Sequence, residues 1–259
     1  MGFFDLFKRG SRPPRCPVTP DDRLWIENSF AWFDEQFGGR ILRSGPVVLP
    51  DSSCFPAPYS PDAEGVNDLL ERVCDWMDVD RGSILLDIYD SGEDRFPGMA
   101  GGPSEGAAGH MVWDDVIRCW VIGVAAKMLP DPMAVVAVLA HELSHVHLFG
   151  FGRVDPREED HEPLTDLLAI YYGFGVFQGN AAFRSWHREE ERGSSWGARR
   201  LGYLPEPMIG YALALTAIAK NDPRPAWREH LAYGIRSPFD KGLKCLLYER
   251  EKMLGSLLG

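Results

Sequence analysis

Apolar residues recur at helical spacing in some stretches of the chain and run together or alternate in others, and the two patterns divide it into elements. From Asp21, the positions Leu24, Trp25, Phe30, Phe33 and Phe37 predict a helix that starts in the Thr19-Pro20-Asp21 region and stops at Gly38-Gly39. Pro46-Val47-Val48-Leu49 reads as a short strand, followed by a Pro- and Ser-rich loop to Pro61, a helix from Asp62 to Met77 and a strand from Ser83 to Tyr89. The connection Gly92 to Gly109 has six glycines among eighteen residues. It lacks the Lys-Ser/Thr helix start of a phosphate-binding loop and reads as flexible. Ala108 to Val112 and Arg118 to Val124 are two further strands.

The clearest element is Asp131 to Gly150, with Asp131 as N-cap, Pro132 at the first helical position and Gly150 as a stop. Val135, Val136, Val138, Leu139, Leu143, Val146 and Leu148 fall nearly all round it, which predicts a helix buried inside the molecule. A second helix begins in HEPLTDLLAIYYGFGVF, with Leu164, Leu167, Leu168, Tyr171 and Phe174 as its apolar face. Pro205-Glu206-Pro207 opens an alanine-rich helix to Ala219, broken at Asn221-Asp222-Pro223, and helices around Pro225 to Tyr233 and Ser237 to Leu254 follow. Strands that precede a run of helices predict an α+β fold: a small mixed sheet on the buried helix, then a mostly helical C-terminal part. An edge strand of that sheet, lying beside the helix, would be available to pair with an extended peptide. Residues 1–20, with Pro13, Pro14, Pro17 and Pro20, read as a flexible arm. Residues 21–259 read as a single domain with an α/β part (21–130) and a helical part (131–259).

Charge narrows the partners. Lys and Arg number 27 against 38 Asp and Glu, a net charge of −11, which argues against nucleic acid and anionic membranes as general targets. Trp186, His187, Arg188, Trp196, Arg199 and Arg200 interleave aromatic and basic groups, and within so acidic a chain they read as a surface or substrate-contact loop. Cys16, Cys54, Cys74, Cys119 and Cys245 are scattered and never form a CxxC pair, the usage of reduced thiols in a cytoplasmic protein. MGFFDLFKRG lacks the apolar core and cleavage site of a secretory signal, and charges and prolines interrupt every apolar run. The expectation is a cytoplasmic protein without stable membrane insertion.

Candidate chemistry concentrates in HELSH. His141 and His145, four residues apart, share one helix face and can reach one point in space, a geometry that suits a divalent metal. Glu142 is rotated by roughly 100° from His141 and so cannot easily be a ligand beside it. A catalytic zinc takes three protein ligands and leaves a position open. The nearby donors are Glu158, Glu159, Asp160, His161, Glu162 and Asp166. Glu162 is the choice, because it opens a helix returning after a short connection, and Asp166, four residues on, can hold the far nitrogen of a ligating histidine. His161 is the rival third ligand. His147 points away from His145 and reads as a packing or surface residue. Tyr203, Tyr211 and His187 are candidates for stabilising an oxyanion.

HELSH followed by EPLTD resembles the HExxH plus ExxxD signature of the gluzincin metallopeptidases, the thermolysin-like branch of the zincins, over roughly Trp113 to Phe177. DHEPLTDLL and GYLPEPMIGYALA also resemble stretches of uncharacterised bacterial metallopeptidase-like proteins. The resemblance implies a zincin-like fold, Zn2+ held by His141, His145 and Glu162, Asp166 behind them, and Glu142 as the general base that activates water for hydrolysis of a peptide or protein substrate. The metzincin extension is absent, with Phe151 six residues beyond His145. Two alternatives stand beside this reading: a deformylase-like amidase, which needs a cysteine such as Cys119 as third ligand, and a metal-stabilised binding or assembly module in which Glu142 is idle.

Overall fold

The computed structural model describes residues 13–55, 58–90, 108–182 and 203–257. Helix α1 (Pro20–Phe33) starts where a cap and a proline coincide: Thr19 Oγ1 accepts the Asp22 N–H at 3.2 Å, and Pro20 occupies a position with no helical donor to lose. It loosens into a π turn (Asp34–Gly38) and a short helix α2 (Arg40–Ser44). Residues 46–49, expected as a strand, pair with no strand among the described residues. Val48 is buried, and its N–H donates at 3.0 Å to the carbonyl of Gly173. Gly173, at φ 99°, breaks the helix it lies in, and a Cβ there would collide with the Pro46 carbonyl. The donor a sheet would have used is thus taken by a helix kink.

Helix α3 (Ala63–Met77) is capped by Asp62, whose Oδ1 accepts the Gly65 N–H at 2.9 Å, and it buries Val66, Leu69, Leu70, Val73 and Met77. Strands β1 (Ile84–Tyr89), β2 (Gly109–Asp114) and β3 (Cys119–Ala125) form one mixed sheet in the order β1-β3-β2. β1 runs parallel and β2 antiparallel to the central β3, with Leu86 and Met111 both opposite Ile122. Most of the glycine-rich connection lies outside the described residues.

Helix α4 (Pro132–Phe149) packs on β2, β3 and α3, with Asp131 accepting the Ala134 N–H at its N-terminus. Fourteen of its eighteen residues are buried. By length and composition it could cross a membrane, but 78% of that apolar window is buried inside the molecule. Ile84, Met111, Ile122 and Val124 from the sheet share one core with it. After a loop, α5 (His161–Ala169) runs through a π turn (Ile170–Phe174) and on through residues 175–182. The architecture is α+β, a small sheet and a majority of helix.

The C-terminal part holds α6 (Glu206–Ala219) and α7 (Tyr233–Leu257), the most extensively packed helix pair. The helix expected over 225–233 is a 3-10 turn (Ala226–His230), and α7 begins before Ser237, carrying Pro238 within it. Packing overrides the proline's stop signal, since α6 approaches this segment through Gly210. A Cβ on Gly210 would lie 2.6 Å from Pro238 Cβ and 2.7 Å from the Phe239 nitrogen. Gly210→Val is therefore expected to destabilise the fold by about 1–3 kcal/mol, read as a lowered denaturation midpoint in urea. An unchanged midpoint would contradict this close approach.

Candidate metal centre

The polar residues of α4 are held by α5 and by the segment entering α6. His141 Nδ1 lies 2.8 Å from Asp166 Oδ1, while the other Asp166 oxygen accepts the backbone N–H groups of Tyr203 and of Leu204, the latter at 3.0 Å. With carboxylate on that side, Nδ1 carries the proton, and the Nε2 lone pair of neutral His141 points the other way. His145 is fixed by a parallel device. The Thr165 hydroxyl donates to the His161 carbonyl at 2.7 Å, which leaves its oxygen to accept His145 Nδ1–H at 3.2 Å. Both imidazoles therefore turn Nε2 inward.

What they face is a carboxylate. Glu162 Oε2 lies 3.1 Å from His141 Nε2 and 3.4 Å from His145 Nε2. The three ligand atoms all fall within 4.8 Å of one another. Three electron pairs converging in a half-buried pocket repel unless a positive charge sits among them. The separations suit a tetrahedral ion with bonds of about 2.0–2.2 Å. Residues present thus fit a divalent cation by donor chemistry and by spacing, and His141, His145 and Glu162 form a possible metal-binding triad compatible with an HExxH zinc site.

Without a cation, a proton takes that role. Burial opposes charge on His141, but its bonds to Asp166 and Glu162 outweigh this and raise its pKa well above 6.5. Burial lowers His145 to about 4 against the pull of Glu162, so it stays neutral. Burial works against the Glu162 carboxylate too, yet the two imidazoles hold its pKa below the ordinary range. Glu142, 5% exposed, behaves differently. Burial, reinforced by Glu162 and Asp166 and opposed by His141, lifts it to about 7. No hydrogen bond ties its carboxyl group among the described residues, and it sits against β2, where a Cβ on Gly109 would come within 2.7 Å of Glu142 Oε1.

Aromatic rings hold the imidazoles in place: Phe149 stacks on His145 at 4.9 Å, and Tyr203, 54% exposed, stacks on His141 at 5.7 Å. Thr165 and the two backbone amides escaped the sequence reading. Thr165, three residues after Glu162 in a helix, is a signal that could have been used, whereas a backbone donor from 37 residues beyond Asp166 leaves no trace in the sequence.

Other expected residues lie elsewhere. Tyr211 is fully buried and donates to Glu27 at 2.6 Å, so it takes no part in this site. His187 lies outside the described residues, as does the Trp186 to Arg200 loop. His161 Nδ1 is 3.9 Å from Glu162 Oε1 and is not part of the triad. Cys119, half-buried at the start of β3, is not part of it either, and the third donor is a carboxylate. His147 is a packing residue, donating from Nε2 to the Met77 carbonyl at 2.7 Å and stacked on Tyr172. Comparison with protein-family models, curated proteins and solved structures finds no match to this chain.

Two outcomes follow from this geometry. Asp166→Asn must aim its NH2 group either at His141 Nδ1–H or at two backbone N–H groups. Zinc affinity, measured by competition with a chromogenic chelator, is expected to fall about 10–100-fold, and an unchanged affinity would show that Asp166 does not orient the ligand. The second concerns pH. A raised His141 pKa stabilises the metal-free fold fully below 6.5, and that contribution is lost as pH rises through the raised value. A cation competes for the same lone pair, so apparent affinity should climb over that range with about one proton released per ion, read by calorimetry in buffers of different ionisation enthalpy.

Proposed function

We propose that this chain is a zinc-dependent hydrolase acting on a peptide or protein substrate, a gluzincin-type metallopeptidase, with His141, His145 and Glu162 as ligands. The observation that carries the reading is the combination of two tautomer-locked imidazoles and one carboxylate with a buried glutamate on the same helix whose carboxyl group has no hydrogen bond among the described residues. Among the described residues only three donors converge, where a structural zinc site is usually closed by four. Zinc held there would supply a Lewis acid that polarises a carbonyl and brings the pKa of water near 7.

The rest falls to the chain's own side chains. Glu142, lifted to about 7 and without a competing hydrogen bond among the described residues, is suited to accept the proton of the attacking water and to pass it to the leaving amine. Tyr203 is the tyrosine positioned beside His141, and its phenol is the group assigned here to the developing oxyanion. Asp166 keeps His141 oriented while charge builds up in front of it. Among the described residues strand β2 lies at a sheet edge in the order β1-β3-β2, and its Gly109 abuts Glu142, which supports an extended peptide laid along β2 with its scissile bond beside the base. The free cysteines of the described residues suit a cytoplasmic setting.

Glu142→Gln separates this reading from a metal-stabilised assembly module. The variant is expected to bind zinc as the parent does and to lose hydrolysis of a peptide library by about 10²-fold or more. Zinc-loaded parent protein that leaves the library intact would withdraw the hydrolase assignment in favour of the module.

A further inference from the structure

A cavity of about 230 Å3 opens between α3, the start of α4 and the helix that continues α5. Phe55, Leu69, Val136 and Phe177 wall it. The Phe55 ring meets Phe177 and Trp76 edge-on, each at 5.5 Å, and Leu69, Val136 and Phe177 are at most 7% exposed, so the wall is held in place by the core behind it. A dry cavity of about 150 Å3 lined by such side chains takes a benzene ring. This one therefore has room for a ring with its methylene, or for a branched aliphatic side chain. Val136 precedes His141 by five residues, about 7.5 Å along the helix axis, and no residue of the triad lines the cavity.

The mouth is charged where the wall is apolar. Asp68, exposed, and Arg72, half-buried, both border the cavity from α3. Residues four apart on a helix have Cβ atoms about 5–6 Å apart, the spacing at which an acid and a base ordinarily pair. These two do not, and neither makes a hydrogen bond or an ion pair with any other group among the described residues. Arg23 and Arg228, by contrast, each hold a carboxylate. An apolar pocket thus ends in one carboxylate and one guanidinium without protein partners.

We propose that this cavity binds a free apolar α-amino acid, with an aromatic or branched aliphatic side chain inserted between Leu69, Val136 and Phe177, its ammonium on Asp68 and its carboxylate on Arg72. The two charges of such a zwitterion are carried by one carbon and its neighbour, so opposite charges one helical turn apart can hold both at once. A guanidinium offers a carboxylate two parallel N–H groups, a geometry that an ammonium cannot supply. An apolar acid without the amine would bring a like charge up to Asp68, and an apolar amine without the acid would bring one up to Arg72, so both are disfavoured. A peptide keeps only one of the two charges at each end. The assignment does not depend on the metal triad.

The test titrates the full-length protein, isotopically labelled at its methionine methyl groups, with L-phenylalanine at millimolar concentration. Met133 lines the same cavity, and a phenyl ring seated there shifts its methyl resonance, which Met133→Leu identifies. The expected result is a saturable shift of Met133 by L-phenylalanine and none by L-serine. Arg72→Gln should weaken binding by about 10-fold, and Asp68→Asn, at an exposed position, by less. Neither substitution removes a contact made within the described residues, so both variants should fold, with the methionine spectrum of the parent. N-acetyl-L-phenylalanine, without the ammonium, and L-phenylalaninamide, without the carboxylate, should each bind more weakly than the free amino acid. A Met133 methyl that does not move, binding that survives both substitutions unchanged, or a capped analogue that binds as tightly as L-phenylalanine, which would make the occupant a peptide end, would each overturn the proposal.

Discussion

The structure depends on how a buried helix manages polar atoms that point inward. α4 is enclosed on almost every side, and an acceptor in such a place is costly unless something positive meets it. His141 and His145 present one nitrogen each to a hydrogen-bond acceptor and the other to Glu162. That division of labour lies in their surroundings. Asp166 fixes one ring and the Thr165 hydroxyl the other, so a proton or a cation is called for at the same point. A pair of core histidines satisfied only by backbone carbonyls would carry no such demand, and His147, bonded to Met77, shows what that alternative looks like on the same helix.

The parts of the fold remote from the triad serve to hold this arrangement. The sheet lies against α4 and leaves Gly109 where a side chain would displace Glu142. The π turn after α5, with Gly173 at φ 99°, bends the helix so that its later turns return to the core while Glu162 and Asp166 stay on the triad. The segment entering α6 closes the circuit by giving two backbone N–H groups to Asp166, so that α4, α5 and the C-terminal part meet on one carboxylate. Breaking any one link would leave a buried charge or donor without its partner, which is far more costly than the bond itself is favourable.

Electrostatics separates the carboxylates of the site into different roles. Glu162 is held ionised by the two imidazoles, and Asp166 is bound to an imidazole and two amides, whereas Glu142 has burial against it and, among the described residues, no hydrogen-bond donor to steady its charge. Glu162 and Glu142, in one low-dielectric pocket, are thereby driven apart in proton affinity. The group left near neutrality is the one suited to exchange protons.

The sequence by itself determined the elements whose signals are local: the caps of α1, α3 and α4, the runs that form β1, β2 and β3, the all-round apolarity of α4, and the four-residue spacings that align His141 with His145 and Glu162 with Asp166. These follow from 3.6-residue periodicity and side-chain capping, which act within a turn or two. Tertiary structure decided the rest. Val48 was drawn from a sheet to the carbonyl at a helix kink, α7 ran through Pro238 because Gly210 let two helices meet, and Tyr211 was claimed by Glu27 while Tyr203 was laid on His141. Each of these depends on which groups distant along the chain become neighbours once the apolar surface is buried, and local periodicity carries no record of that.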